Sequence, residues 1–379
     1  MSTLSRQEIP PGADLWEQVQ PAWRALLAAT GEPSAFLSEI WIETWLETFA
    51  ERMRTAALIW RDSEGQEIGC VLLSRGAGRF GPFRVSRSFL NASGAPEVGC
   101  DHNDVLALEG YRAEIIDDLA RVVLGLGADE FALQGVRDTL FEEMRTRWPS
   151  RTWTGHGSES PYVDLAKVRA SGEGYLAQLS SNTRSQIRRS IRLYEERSGE
   201  ACVEIAGNPE EAVAWLDELV ELHESTWQER GEAGAFRGEA REFHRALIRS
   251  TVPNSGRDEL RSDIVRVRFG EETIALLYNT VYRGRVSFYQ SGVRYADDRK
   301  LKPGLVAHVL AVDRYLASGE VEYDFLGGEP QPVQYKRSLS TDVRSLYWAR
   351  LHAPSVKMGA LGATRRVWRV VRGEGDDSS

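Results

Sequence analysis

The chain has 379 residues, enough for two domains of ordinary size, with 42% hydrophobic and 27% charged residues, the balance of a globular protein. Its net charge of −9 and pI near 5.4 argue against a general nucleic-acid binder. The three cysteines, Cys70, Cys100 and Cys202, lie far apart without metal spacing, and no apolar run approaches membrane-spanning length; with a polar start to the chain, these features predict a cytoplasmic protein.

In chain order, residues 1–12 read as a loose arm. Residues 14–30 read as a helix, with Leu15, Val19, Trp23, Leu26 and Leu27 on one side. Ser38 can cap a second helix carrying Trp41, Trp45, Leu46 and Phe49, an aromatic stripe expected to be core. Residues 56–61 and 68–74 form a predicted hairpin around Asp62-Ser63-Glu64-Gly65. A strand over 83–90, a helix over 112–124 and a short strand over 130–134 follow. Residues 145–157, rich in Trp, Gly, Ser and Thr, read as a domain boundary, and 161–165 as a strand beyond it.

The next segment, 173–197, reads as one long helix, with Arg184, Arg188 and Arg192 four apart along a stripe. It is the densest positive run in an acidic chain, and arginine forks suit phosphate and carboxylate. A solvated helix face is the bland reading of the same pattern. Residues 201–206 form a strand and 209–229 a helix that places His223 and Trp227 on one face. Residues 231–238 read as a loop anchored by Phe236, and 239–250 as a further helix.

Three segments then show strand character: 264–269, 273–282 and 285–293. A basic loop follows with Arg294, Arg299, Lys300 and Lys302, leading into Pro303-Gly304 and a helix over 305–318. Proline suits the first helical turn, where its missing N–H costs nothing, and Gly304 lets a ligand approach the backbone. Unpaired amides and the helix dipole favour an anion there. A strand over 321–326, a Gly327-Gly328 loop and a closing strand over 343–350 complete the core, with a basic segment and a tail predicted to be disordered over 353–379.

The order of strands, basic loop, helix and strand resembles the acyl-CoA-binding core of the GNAT acyltransferases. Those carry Gln/Arg-x-x-Gly-x-Gly/Ala at this junction; the chain has Arg299-x-x-Lys302-x-Gly304, with lysine replacing the first glycine. Over roughly residues 160–350 it resembles the acetyltransferase-6 or cellulose-biosynthesis-protein-like branch, related to the Fem peptidyltransferases. The matching segments are Ser181-Asn182-Thr183-Arg184, His223-x-x-x-Trp227 with Phe236, Pro303-Gly304, Asp324-Phe325-Leu326-Gly327-Gly328 and Tyr335-Lys336.

The resemblance implies an α/β (α+β) protein of two tandem GNAT-like domains, each a mixed, mostly antiparallel sheet flanked by helices. The expected division is 1–157, 158–352 and the segment 353–379. The first copy carries Cys100-Asp101-His102-Asn103-Asp104 before its helix, acid where the second copy is basic, so only the second copy is expected to bind CoA.

The resemblance further implies acetyl-CoA or another acyl-CoA as co-substrate, held by Gln290, Ser291, Gly292, Arg294, Arg299, Lys300, Lys302, Gly304 and Leu305. Asp324 and Glu329 are the candidate bases, and Tyr335 the candidate acid toward the leaving thiolate. Arg184, Arg188, His223, Trp227, Phe236 and Lys336 are the candidate acceptor residues. For Asp324, a strand-end acid bonding a nearby amide is the alternative; for His308, core packing is expected.

The expected reaction moves an acyl group from CoA to an amine or hydroxyl of a small-molecule or saccharide acceptor, in a cleft between the copies, with no metal. A Fem-like transfer from charged tRNA and a degenerate double-GNAT binding protein are the other two readings. No Gly-x-Ser-x-Gly and no histidine ligand spacing support a hydrolase triad or a metal site. The sequence leaves the acceptor, the acyl length and the oligomeric state open.

Overall fold

The computed structural model describes residues 4–31, 34–95, 98–150, 152–229, 236–252, 259–328 and 334–372, apart from the side chains of 226–229 and 365–372. The elements in chain order are β1 (Ser5–Ile9), α1 (Leu15–Ala29), α2 (Glu39–Met53), β2 (Ala56–Arg61), β3 (Glu67–Phe80), β4 (Phe83–Leu90), β5 (Leu106–Ala107), α3 (Arg112–Gly125), β6 (Glu130–Arg137), α4 (Asp138–Arg147) and β7 (Trp153–Asp164). There follow α5 (Leu165–Ser171), α6 (Tyr175–Gln178), α7 (Ser181–Ser198), β8 (Ala201–Ile205), α8 (Pro209–Glu229), α9 (Glu239–Thr251), β9 (Arg261–Phe269), β10 (Glu272–Tyr282) and β11 (Arg285–Val293). The last are α10 (Pro303–Ser318), β12 (Glu322–Asp324), α11 (Gln334–Leu339), β13 (Asp342–His352) and α12 (Val356–Arg372).

Two compact units emerge. The first comprises Met1–Pro33, Phe49–Gly157 and Tyr347–Ser379; the second comprises Ser34–Thr48 and Ser158–Leu346. The division passes at Gly157–Ser158 and again at Leu346–Tyr347. Residues 34–48 join the second unit, and 347–379 join the first.

Each unit repeats one arrangement. In the first, β2, β3 and β4 are antiparallel neighbours, α3 follows, and β6 returns parallel to β4 with Arg87 opposite Glu130. In the second, β9, β10 and β11 are antiparallel, α10 follows, and β12 returns parallel to β11 with Arg285 opposite Glu322. This is the tandem mixed α/β architecture that the order of elements predicts.

The second unit buries both faces of its sheet, as period-2 alternation requires. Val265, Val267, Ala275 and Leu277 pack with Val306, Val309 and Val312 of α10 and Ile187 and Tyr194 of α7. Their alternates Ile264, Leu276 and Tyr278 pack with Trp215, Leu216 and Leu219 of α8 and Ile248 of α9. So α7 and α10 cover one face, and α8 and α9 the other. The first unit has its own core, from Trp60, Ile68 and Val71 of β2 and β3 to Ile116 and Leu119 of α3.

Several expectations are corrected. The supposed arm contains β1, which pairs antiparallel with β2 from Ser5 opposite Arg61 to Ile9 opposite Ala57. The boundary segment 145–157 ends at the Gly157–Ser158 junction of the two units, and it contains the end of α4 and the start of β7. Gly155 and Gly157 read as loop signals, but a Cβ on Gly155 would lie 2.0 Å from the Trp348 carbonyl oxygen. The glycine marks close strand approach, not a linker. The long helix over 173–197 is two, because the Ser180 hydroxyl accepts the Thr183 amide at 3.2 Å and starts α7 anew. The basic segment expected in the tail forms α12; residues 373–379 lie outside those described.

Candidate active site

The second unit opens its sheet beside β11. Strand β12 pairs with β11 only at Arg285–Glu322, Val286–Tyr323 and Ser287–Asp324. Beyond Ser287 β11 continues to Val293 along β10 alone. The register against β10 slips there: Tyr278 faces Gln290 and Asn279 faces Phe288, so Tyr289 is an extra, bulged residue. A bulge bends its strand and re-aims a side chain, and it sits where β12 has left the edge of β11. The backbone of 288–291 thus borders a gap between two parallel strands.

The strand leads through residues 294–302 to α10. Pro303 occupies the first turn, where its missing N–H is no loss. A Cβ added to Gly304 would meet nothing within 4 Å, so packing does not require the glycine; it leaves room beside the helix start. The first-turn amides have no intrahelical acceptors. One nearby amide is already engaged, since the Lys302 N–H donates to the Ser190 hydroxyl of α7 at 2.9 Å.

The loop cations differ in their freedom. Arg299 and Lys300 are exposed, whereas Arg294 donates to the Thr273 carbonyl at 3.1 Å and lies 3.8 Å from Glu218. Leu301 is buried and plugs the loop into the core, and Leu305 packs against the same core. At Gly292 a Cβ would lie 2.5 Å from the Leu219 carbonyl oxygen, so the glycine admits α8 against β11. The Gln290 side chain accepts the Ser291 amide at 3.0 Å.

That close approach positions His223 on α8. It is 5% exposed, and its Nδ1 lies 3.1 Å from the Ser291 carbonyl oxygen. A carbonyl only accepts, so Nδ1 carries the proton and Nε2 is the basic nitrogen of the neutral ring. Burial pushes its pKa below the ordinary histidine value, with the Ser291 bond opposing. The ring therefore stays neutral near pH 7.

Asp324 sits differently. It is 2% exposed; its Oδ1 accepts the Ser160 hydroxyl and the Leu326 amide, both at 2.7 Å, and its Oδ2 faces Arg344 at 3.9 Å. This is the strand-end role that competed with the base reading, with Leu326 supplying an amide. Leu326 has φ +57, so the acid holds a strained corner where β12 ends. Glu329, the second base candidate, lies outside the described residues.

The comparisons now bear on this geometry. Residues 181–337, which span α7 through α11, match the family described as acetyltransferase (GNAT) domain. The chain carries a GNAT acetyltransferase domain. No curated protein matches its sequence. Among solved structures, FemX is similar with a TM-score of 0.54 at 10% identity, over 86% of this chain and 95% of that one. The C-terminal domain of a putative lysylphosphatidylglycerol synthetase from Agrobacterium fabrum has a TM-score of 0.52 at 10% identity, over 93% of this chain and 96% of that one. L-PGS from Bacillus licheniformis has a TM-score of 0.52 at 12% identity, over 95% and 98%. At such identities these likenesses establish the fold alone.

Within the GNAT domain, Tyr335 on α11 is partly exposed at 36% and stacks on His308 with ring centres 6.0 Å apart. His308 is buried among Phe288, Tyr323 and Phe325, with its Nδ1 3.1 Å from the Tyr323 hydroxyl, as core packing requires. The Lys336 ammonium donates to the Leu326 carbonyl at 3.2 Å, bracing the corner that Asp324 holds.

The arginine stripe divides. Arg184 donates to the Ala177 and Leu179 carbonyls at 3.1 and 3.4 Å and so closes the end of α6. Both bonds use one guanidinium nitrogen. Arg192 is 3.7 Å from Glu196, whereas Arg188 is exposed. The side chain of Trp227 lies outside those described.

Phe236 is buried 6.1 Å from the His223 ring and 5.2 Å from that of His244. Around His244 stand Phe243, Tyr278 and the bulged Tyr289, and Trp41 reaches the same group. Sequence reasoning missed His244 and Tyr289; their spacing in the chain carries no signal. Trp41 was legible only as a core aromatic. Among the described residues no group of three or more His, Cys, Asp or Glu could hold a metal ion, and no helix is long and apolar enough to cross a membrane.

Proposed function

We propose that the second unit transfers an acyl group from acyl-CoA directly to an amine or hydroxyl acceptor. The observation that carries this reading is the continuous path from the β11–β12 gap, past the Tyr289 bulge, to the Pro303-Gly304 helix start. The room beside Gly304, the exposed Arg299 and Lys300 and the half-buried Lys302 suit a diphosphate, held by the amides of Gly304 and Leu305. The acyl carbonyl would then lie in the gap, facing the backbone of 288–291.

His223 is the proposed base, in place of Asp324, whose oxygens serve Ser160, Leu326 and Arg344. The acceptor nitrogen or oxygen bonds to the carbonyl carbon, and its proton passes to His223 Nε2, directly or through water. The C–S bond then breaks, and the thiolate takes a proton from the Tyr335 hydroxyl. No acyl-enzyme is needed.

In the first unit the equivalent helix start is filled. Arg112, the first residue of α3, bonds Asp104 at 2.7 Å and Glu143 at 2.9 Å. Asn91 ties the preceding loop together through the Leu72 amide and Asn103. This favours a single donor site per chain.

A second reading is transfer from aminoacyl-tRNA. The Lys302 amide, engaged by Ser190, leaves fewer donors for a diphosphate than a glycine-rich loop would. The names of the synthetase and FemX relatives point to other transfer reactions, and the acid balance of the chain opposes tRNA.

Calorimetry separates the readings at the donor site. CoA is expected to bind one site per chain, and Lys302→Glu, which reverses a half-exposed charge, is expected to weaken it at least tenfold, the scale of roughly 1.4 kcal/mol of lost phosphate attraction. The urea midpoint should stay unchanged. Equal affinity in the variant would remove the diphosphate from this junction.

A further inference from the structure

We propose that α12 docks the protein onto an anionic bilayer surface. The segment Val356–Arg372 contains Lys357, Arg365, Arg366, Arg369 and Arg372 and no acidic residue, a local charge of +5 in a chain of net −9. The same seventeen residues include Val356, Ala360, Leu361, Ala363, Val367, Trp368, Val370 and Val371. Cations and apolar residues interleaved on one helix are the composition of an interfacial helix.

The structure shows which edge of α12 is already used. Met358 is buried at 5% with Phe80 and Val85, and Leu361 packs beside it. The Lys357 ammonium pairs with Asp129 at 2.6 Å. These contacts fasten the first turns of α12 to its own unit. The other edge is left to solvent: Val356 is 92% exposed, and Ala360 and Ala363, four and seven residues on, are exposed with it. Positions spaced by four and three share one helix face, so the strip is continuous through the first two turns.

Charge complementarity selects the occupant. A second copy of the helix would bring its four arginines against four like charges. A nucleic acid would satisfy the arginines and leave the apolar strip in water. An anionic bilayer satisfies both, with headgroups at the cations and acyl chains at the strip. No described helix is long and apolar enough to span, so the helix would lie on the surface. The sequence also sets Glu374, Asp376 and Asp377 directly after the helix, where they oppose attraction to anionic lipid.

Flotation of the full chain with vesicles tests this. The protein is expected to float with phosphatidylglycerol–phosphatidylcholine vesicles, to stay behind with phosphatidylcholine alone, and to be released by high salt. Replacing Arg365, Arg366, Arg369 and Arg372 by glutamine should weaken binding at least tenfold, since each basic residue near such a surface contributes on the order of 1 kcal/mol. Val356→Gln with Ala363→Gln, at exposed positions, should weaken it without changing charge. Glu374→Gln, Asp376→Asn and Asp377→Asn together should strengthen it. No flotation with either vesicle, equal flotation with neutral vesicles, undiminished binding in the glutamine variants, or retention of RNA in place of anionic vesicles would overturn the proposal.

Discussion

His223→Gln is expected to lower kcat by about 10²–10⁴-fold, the usual loss when a general base is removed. Glutamine keeps a side-chain N–H that can reach the Ser291 carbonyl, now bonded by Nδ1 at 3.1 Å, but offers no basic nitrogen. The fold should survive, because α8 is held by Trp215, Leu216 and Leu219 in the core and by the close seat of Leu219 on Gly292. The pH profile distinguishes catalysis from positioning. Burial lowers the pKa of His223, so the wild-type rate should persist below pH 6.5 before falling, and that acid limb should vanish in the variant. Partial rescue of His223→Gly by added imidazole would supply the missing base. A variant of full rate with an unchanged profile would remove His223 from the chemistry.

The second large effect concerns acid stability. His244 and His308 are 1% and 2% exposed, and burial pushes each down to about 3, with Lys336 adding to the shift at His308. In the unfolded chain both return to about 6.5. Between these values the unfolded chain binds more protons than the folded one, so stability falls as pH falls. It is fully present above about 6.5 and drains through the window down to about 3. The expected loss by pH 5 is about 2 kcal/mol for each ring. Urea midpoints at pH 7.5, 6 and 5 measure it, in a range where ordinary carboxylates stay ionised. His308→Leu should be less stable than wild type at pH 7.5, since the Tyr323 hydroxyl loses its bond to Nδ1. It should also lose less stability on acidification. Identical slopes in the two proteins would mean that His308 is not held neutral by burial.

Much of the architecture was legible because local signals agreed with the fold. Proline at the start of α10 and the paired strands around Gly270 and Gly284 follow directly from turn and helix-start chemistry. Glycine was harder to read. At Gly155 and Gly292 it marks another backbone pressing close, and only the partner, distant in sequence, reveals it. Arginine posed the same problem. Arg184 stands in a regular stripe, yet its forks close a short helix that sequence periodicity merges with the next.

The site itself was half visible. The proposed donor side is local, a loop and the helix after it, so the residues from Arg299 to Leu305 lie in line in the sequence. The proposed acid–base side joins His223 to Ser291 across 68 residues, and the Tyr289 bulge appears only in the register of β10 against β11. Alternation along one strand cannot show a slip against its neighbour.

Direct transfer from acyl-CoA is tested most plainly by initial rates with acetyl-CoA and a panel of amines and amino sugars, both concentrations varied. Intersecting double-reciprocal lines are predicted, because donor and acceptor must occupy the second unit together before either product leaves. Parallel lines with an isolable acyl-enzyme, or product formed only from aminoacyl-tRNA, would contradict the account.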